Sequence, residues 1–127
     1  MAKKIGNKAI GEFGEDYAEA YLKKEGYTIL GRNFRKPFGE IDIIAKRGSD
    51  LIFIEVKTSV YYANSSFSPE FRVNKDKLRK LKNICEFYLL ENMFQSKQNW
   101  QVDVISVLLF EDGSLKNINH FKNVEFN

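Results

Sequence analysis

A chain of 127 residues with 43% hydrophobic content, 11 Phe and 6 Tyr is enough for one compact domain, residues 1–127, with a sizeable core. One Cys excludes an intramolecular disulfide, and one His beside it excludes the usual zinc-ligand sets, so a bound metal would be held by carboxylates. The net charge of +3 is mild, and no apolar run reaches signal-peptide or membrane-span length; cytoplasmic residence without a membrane partner is the expectation.

A first helix is predicted from about Ala9 to Glu25, stopped by Gly26. Ile10, Phe13, Tyr17, Ala20 and Tyr21 recur at three- and four-residue spacing and define its core face. Glu12 and Glu19 fall on the opposite side. Glu15 lies at the border of the apolar arc, flanked by Gly11 and Ala18, where small neighbours would let the helix approach a sheet closely. On periodicity alone it reads equally as a solvated border residue. Tyr27 to Phe34 then reads as a strand, followed by a basic rim of Arg32, Arg35 and Lys36 that serves phosphate contact or ordinary solubility.

The stretch from Gly39 to Ser59 carries most of the chemistry. Glu40–Lys46 and Leu51–Thr58 are strand-like, and Arg47-Gly48-Ser49-Asp50 supplies a hairpin turn. In either a two- or a four-residue turn, partner numbers add to 97, which sets Asp42 opposite Glu55 and Glu40 opposite Lys57. Alternation puts all four on one face, predicted to turn toward Glu15. Facing carboxylates repel, and a shared cation would reverse the sign of that term; magnesium, or manganese, is held in this way by a few oxygen ligands and waters. Lys57 would then orient or stabilise the attacking hydroxide. The same face also reads as ordinary mixed charge on a solvated hairpin. Against that, Leu51, Ile52, Phe53, Ile54 and Val56 leave little polar alternation, as in a strand buried on both faces, where an unpartnered Glu55 would be costly.

Residues Val60–Arg72 form a loop long enough to suggest a lid or binding role, with Tyr61 and Tyr62 suited to stacking on bases or to packing locally. Asn74 caps a second helix, Lys75 to about Glu91, whose inward face holds Leu78, Leu81, Ile84, Cys85, Tyr88 and Leu89. Cys85 is read as a small core residue. Between Arg72 and Lys82, Arg72, Lys75, Lys77, Arg79, Lys80 and Lys82 face Asp76 alone. Cations there oppose the helix dipole, an arrangement that a phosphate would relieve and that a solvated basic face also explains. Trp100–Phe110 alternates as a strand with Asp103 in a structural role, Glu111-Asp112-Gly113-Ser114 is a turn, and Leu115–Phe126 is an edge strand on which the lone His120 is read as surface decoration.

The sequences Phe-Gly-Glu-Ile-Asp-Ile-Ile-Ala (38–45) and Ile-Phe-Ile-Glu-Val-Lys-Thr (52–58) closely resemble the bacterial YraN-like family of uncharacterised proteins. The resemblance continues through the Gly-Glu-Asp-x-Ala-x-x-Tyr-Leu of the first helix, through Val73, Asn74 and Lys77, and through Val-Asp-Val-Ile around Asp103. That family's fold is similar to the archaeal Holliday-junction resolvases and restriction endonucleases, whose PD-(D/E)xK signature is matched here by Asp42, Glu55 and Lys57, with Ile41 in place of the Pro. The resemblance implies an α/β restriction-endonuclease-like core: a mixed central sheet with helices packed on it, in the order α-β-β-β-α-β-β. It also implies that Glu15 is the helix-borne acid of the site. From it follow a Mg2+- or Mn2+-dependent nuclease, in which Glu15, Asp42 and Glu55 hold metal and Lys57 prepares water. The nucleic-acid partner, DNA in preference to RNA, would meet Arg32, Arg35, Lys36, Arg72, Lys75, Lys77 and Arg79. A non-catalytic nucleic-acid-binding module with the same fold is the alternative, and fold analogy with the resolvases admits a homodimer.

Overall fold

The computed structural model describes residues 5–63 and 75–124. The elements run α1 (Asn7–Lys24), β1 (Thr28–Lys36), β2 (Gly39–Arg47), β3 (Asp50–Val60), α2 (Lys75–Glu91), β4 (Trp100–Leu109) and β5 (Leu115–Phe121). This is the expected order, with shifts of a few residues at the ends. The predicted cap at Asn74, Arg72, and most of the Val60–Arg72 loop lie outside the described residues.

Five strands form one mixed sheet in the spatial order β1-β2-β3-β4-β5. Only β3 and β4 pair in parallel. A parallel partner requires a crossover, and α2 provides it. The β2–β3 turn is the two-residue kind: Arg47 faces Asp50, and Gly48 has φ 61° at the first turn position, where a type II′ hairpin wants glycine. The ladder runs from that turn to Ile43↔Ile54 in the register that sums to 97.

Two helices cover the two faces. α1 packs its Ala18 and Leu22 on Ile43, Ala45, Ile52, Ile54, Ile105, Val107 and Leu109. α2 packs Leu81, Ile84 and Cys85 on Ile41, Ile44, Leu51, Phe53 and Val102. Residues Leu51 to Ile54 are therefore buried on both faces, as their unbroken apolar run implied. Cys85 is fully buried and its thiol is pushed up by that burial, consistent with a core role.

The contact line of α1 differs from the predicted one. Its buried residues are Gly14, Ala18 and Leu22, at four-residue spacing, whereas Phe13 is 40% exposed and Ala20 is exposed. Large side chains at Ile10, Tyr17 and Tyr21 flank this line instead of forming it. Gly14 sits where the helix touches β3, so close that a Cβ there would overlap the Thr58 hydroxyl. The close approach foreseen around Glu15 is real, but Gly14 makes it, while Gly11 stands in open space.

One irregularity shapes everything near the site. Asn33 of β1 lies between the pairs Arg32↔Ile43 and Phe34↔Ile41 and has φ 54°, the left-handed region. On either side of it the chain changes faces: Arg32 bonds acids of α1, whereas Phe34 packs with the α2 cluster. Its neighbour strand does the same across Asp42, with Ile43 on the α1 side and Ile41 on the α2 side. The sheet is kinked along the Asn33–Asp42 line, and the β2–β3 ladder stops one residue short of Asp42.

Candidate functional site

At that kink the Asp42 carboxylate takes over from the backbone. Its Oδ2 accepts the Val56 N–H at 2.8 Å, bridging the strands where main-chain pairing has ended. Burial pushes the Asp42 carboxyl up to about 6; the Val56 hydrogen bond opposes this, and the nearby charges of Glu15, Glu40 and Glu55 add to it. A group that ought to be ionised is thus held in a place that disfavours its charge, which is a frequent property of functional carboxylates.

Glu55 and Lys57 follow Leu51 and Phe53 along the α2 face of β3. The expectation that this face turns toward α1 is therefore corrected. Glu55, whose side chain is 12% exposed, accepts from Lys57 Nζ at 3.4 Å and from Lys77 Nζ of α2 at 2.7 Å. Lys77 is held above the usual range: burial works against its charge, but the hydrogen bond and charge of Glu55, with the charge of Asp42, outweigh it. Lys57 is lowered, first by burial and then by the Lys77 ammonium, with Glu55 in opposition. Gly39, Glu40, Asp42, Glu55, Lys77, Lys80 and Leu81 line a pocket of about 200 Å³.

Glu15 approaches from the other helix, near enough for its charge to raise Asp42. Its own carboxylate is bonded to Arg32 at 3.2 Å, within a fan in which Arg32 also reaches Asp16 at 2.7 Å and Glu19 at 3.8 Å. Among the described residues, no three His, Cys, Asp or Glu side chains are grouped as a ready metal cage. Asp42 and Glu55 line one pocket, although the β2–β3 ladder ends at Ile43↔Ile54, short of the predicted Asp42–Glu55 pair, and Glu15 is engaged with Arg32.

The basic residues divide by partner. Arg32 is occupied by three acids of α1, Arg35 pairs with Glu40 at 3.1 Å, and Lys36 pairs with Glu91 at 3.5 Å and lies over the Phe34 and Phe87 rings. At the entry of α2, Lys77 points into the pocket, Arg79 pairs with Asp76 at 3.4 Å, and Lys75 and Lys80 are exposed. Lys80 reaches the pocket wall, a position the basic run contained without marking it out.

Sequence reasoning missed a second polar cluster. His120, whose side chain is 5% exposed, is bonded through Nε2 to Asp103 Oδ2 at 2.7 Å and through Nδ1 to the Tyr21 hydroxyl at 3.0 Å. Asp103 is fully buried and also accepts from Gln101 Nε2 at 2.8 Å and Asn123 N at 2.9 Å. Burial raises its carboxyl, but these donors and the charge of His120 outweigh it and hold it below the usual range. The histidine is a structural tie between α1, β4 and β5, not surface decoration. The turn at 111–114 carried the signal, since a hairpin register there pairs Ile105 with His120 and sets Asp103 diagonally beside it.

Comparison with known proteins agrees with the motifs. Residues 14–107, which include the hairpin, the α1 acid and the α2 entry, match the model of Uncharacterised protein family UPF0102. A UPF0102 protein of Clostridium botulinum (strain 657 / Type Ba4) is 42% identical over 117 residues, 92% of this chain and 94% of the relative. One from Dictyoglomus turgidum is 37% identical over 120 residues, 94% of this chain and 98% of the relative, and one from Dictyoglomus thermophilum is 39% identical over 112 residues, 87% and 92%. With the family model spanning most of the chain and relatives matching nearly end to end, the chain belongs to the uncharacterised protein family UPF0102, the YraN-like family.

Proposed function

We propose that this protein is a divalent-metal-dependent phosphodiesterase acting on structured or branched nucleic acid, DNA in preference to RNA, through a PD-(D/E)xK-type site. The observation that carries the proposal is the pairing of Asp42 and Glu55 in one pocket, with the Asp42 carboxyl raised to about 6 by burial and neighbouring acids. Lys57 and Lys77 bond Glu55, whereas Asp42 is bonded by the uncharged Val56 N–H. The pair's donors are hard carboxylate oxygens, which suit Mg2+ or Mn2+, and waters would complete the shell because no third acid among the described residues is grouped with them.

Asp42 and Glu55 would hold the ion, with Glu15 supporting Asp42 from α1. A bound ion would supply Lewis acidity toward the scissile phosphate and the attacking water. The chain's own residues do the rest. Asp42 is fixed by the Val56 N–H, so its second oxygen is presented in a set direction. Lys57, depressed by burial and by Lys77, gives up a proton more readily than an exposed lysine and suits the task of orienting and activating water. Lys75 and Lys80, exposed at the α2 entry, suit the phosphates flanking the cleaved bond.

A non-catalytic binding module is the second reading, favoured by the engagement of Glu15 with Arg32. A panel of single-stranded, duplex, flap and four-way DNA with RNA counterparts, incubated with and without Mg2+ or Mn2+, separates the two. Metal-dependent cleavage of a branched substrate, lost in Asp42→Asn and Lys57→Ala, is the expected result. Binding to these substrates with cleavage of none would establish the module.

A further inference from the structure

Lys77 lies outside the three-residue signature, yet it makes the shortest contact in the pocket. Its Nζ is 2.7 Å from Glu55 Oε1. Lys57 Nζ touches the same Glu55 oxygen from 3.4 Å. A lysine ammonium is a compact point charge with rotatable donors on a flexible stem. Here it sits against Glu55 in the pocket that Asp42 also lines, the space a divalent ion held by the two carboxylates would require.

We propose that Lys77 is a built-in cation that fills the metal position in the metal-free protein and is displaced when a divalent ion enters. This rests on the metal-site reading given above and assigns the site its regulation. Three observations converge on it. The Lys77 ammonium contacts a carboxylate whose side chain is mostly buried, so removing it without a replacement leaves that charge only the longer contact to Lys57. Lys77 lines the same pocket as Asp42 and Glu55. It also comes from the first turn of α2, where a cation is disfavoured by the helix dipole, so the position gains from Glu55 what it loses to the helix. Once displaced, the ammonium remains beside the pocket mouth on its four-carbon stem, within reach of a substrate phosphate. Metal entry would thereby convert a lysine that neutralises the site into one that holds substrate.

The test is metal affinity, measured on the whole chain by Mn2+ titration followed by electron paramagnetic resonance. Lys77→Met keeps the stem and removes the charge; Lys80→Met removes an equal charge from the same pocket wall but leaves the Lys77–Glu55 ion pair in place. Lys77→Met should bind Mn2+ about tenfold more tightly than wild type, with Lys80→Met changed much less. In the wild type, the Lys77 ammonium resonance should shift on Mg2+ addition as its bond to Glu55 breaks, a readout that needs no variant. Unchanged or weaker Mn2+ binding in Lys77→Met, equal tightening in both variants, or an unmoved Lys77 resonance in Mg2+-saturated protein would overturn the exchange while leaving the metal site intact. Absence of Mn2+ binding in wild type and both variants would overturn the metal reading itself, and the exchange with it.

Discussion

Asp42 meets two demands that conflict. It must accept the Val56 N–H to close the ladder, which favours its ionised form, and it must sit among Glu15, Glu40 and Glu55 in a buried place, which does not. The net effect raises its carboxyl from the ordinary 3.8 to about 6, so between those values the folded chain binds more protons than the unfolded chain. Stability from this group is therefore greatest below pH 4 and falls as pH rises to about 6, by about 3 kcal/mol in all. Asp42→Asn keeps an acceptor for Val56 and cannot ionise. Urea unfolding of the metal-free protein should find it about 2 to 3 kcal/mol more stable than wild type at pH 7.5, with the two converging near pH 4. Lys57→Ala should move the other way at pH 7.5, since it strips a cation from Glu55. Mg2+ at a hundredfold excess over its dissociation constant should stabilise wild type by about 2 to 3 kcal/mol and leave Asp42→Asn unchanged.

The elements were legible where periodicity governs them. Apolar spacing yields both helices, the two-residue turn follows from Gly48, and the register of the hairpin follows from that turn. What escaped is where one residue overrides the period. Alternation assumes every strand residue is extended; Asn33 is not, and its positive φ reverses the facing of β1 while β2 follows across Asp42. Asparagine tolerates that conformation through its short polar side chain, so its presence in a strand was the available sign. Partner choice among charges was also hidden, because Arg32 reaches three acids that only the placement of α1 brings together. Asn33→Gly should preserve stability, whereas Asn33→Val, strained at φ 54°, should cost about 1 to 3 kcal/mol. If the kink positions Asp42, Asn33→Val should also weaken Mn2+ binding, and a variant that loses stability with unchanged affinity would separate kink from site.

For the molecule as a whole, charge is distributed less freely than the basic count suggests. Arg32, Arg35, Lys36 and Arg79 are each paired with an acid. At the α2 entry Lys75 and Lys80 are exposed, and Lys80 lines the pocket. Replacing both by Ala should flatten the log-log salt dependence of nucleic-acid binding by about two units, near one per phosphate contact, whereas Arg32→Ala should act chiefly on stability. An unchanged slope in the double variant would assign these lysines to solubility. The order of strands in space is also their order in sequence, so each pairs with its chain neighbour, and only the β3–β4 ladder waits for the α2 crossover. That arrangement has a kinetic consequence. The β1–β2–β3 meander closes by short loops and is expected to form early, since local contacts need little loop closure. It carries Asp42 and Glu55, while Lys77 arrives with α2. In the folding transition state the two acids would come together with Lys57 alone, before Lys77 is in place, so the barrier itself should contain part of their repulsion. Stopped-flow refolding should then be faster at pH 5 than at pH 7.5, with the difference abolished in Asp42→Asn.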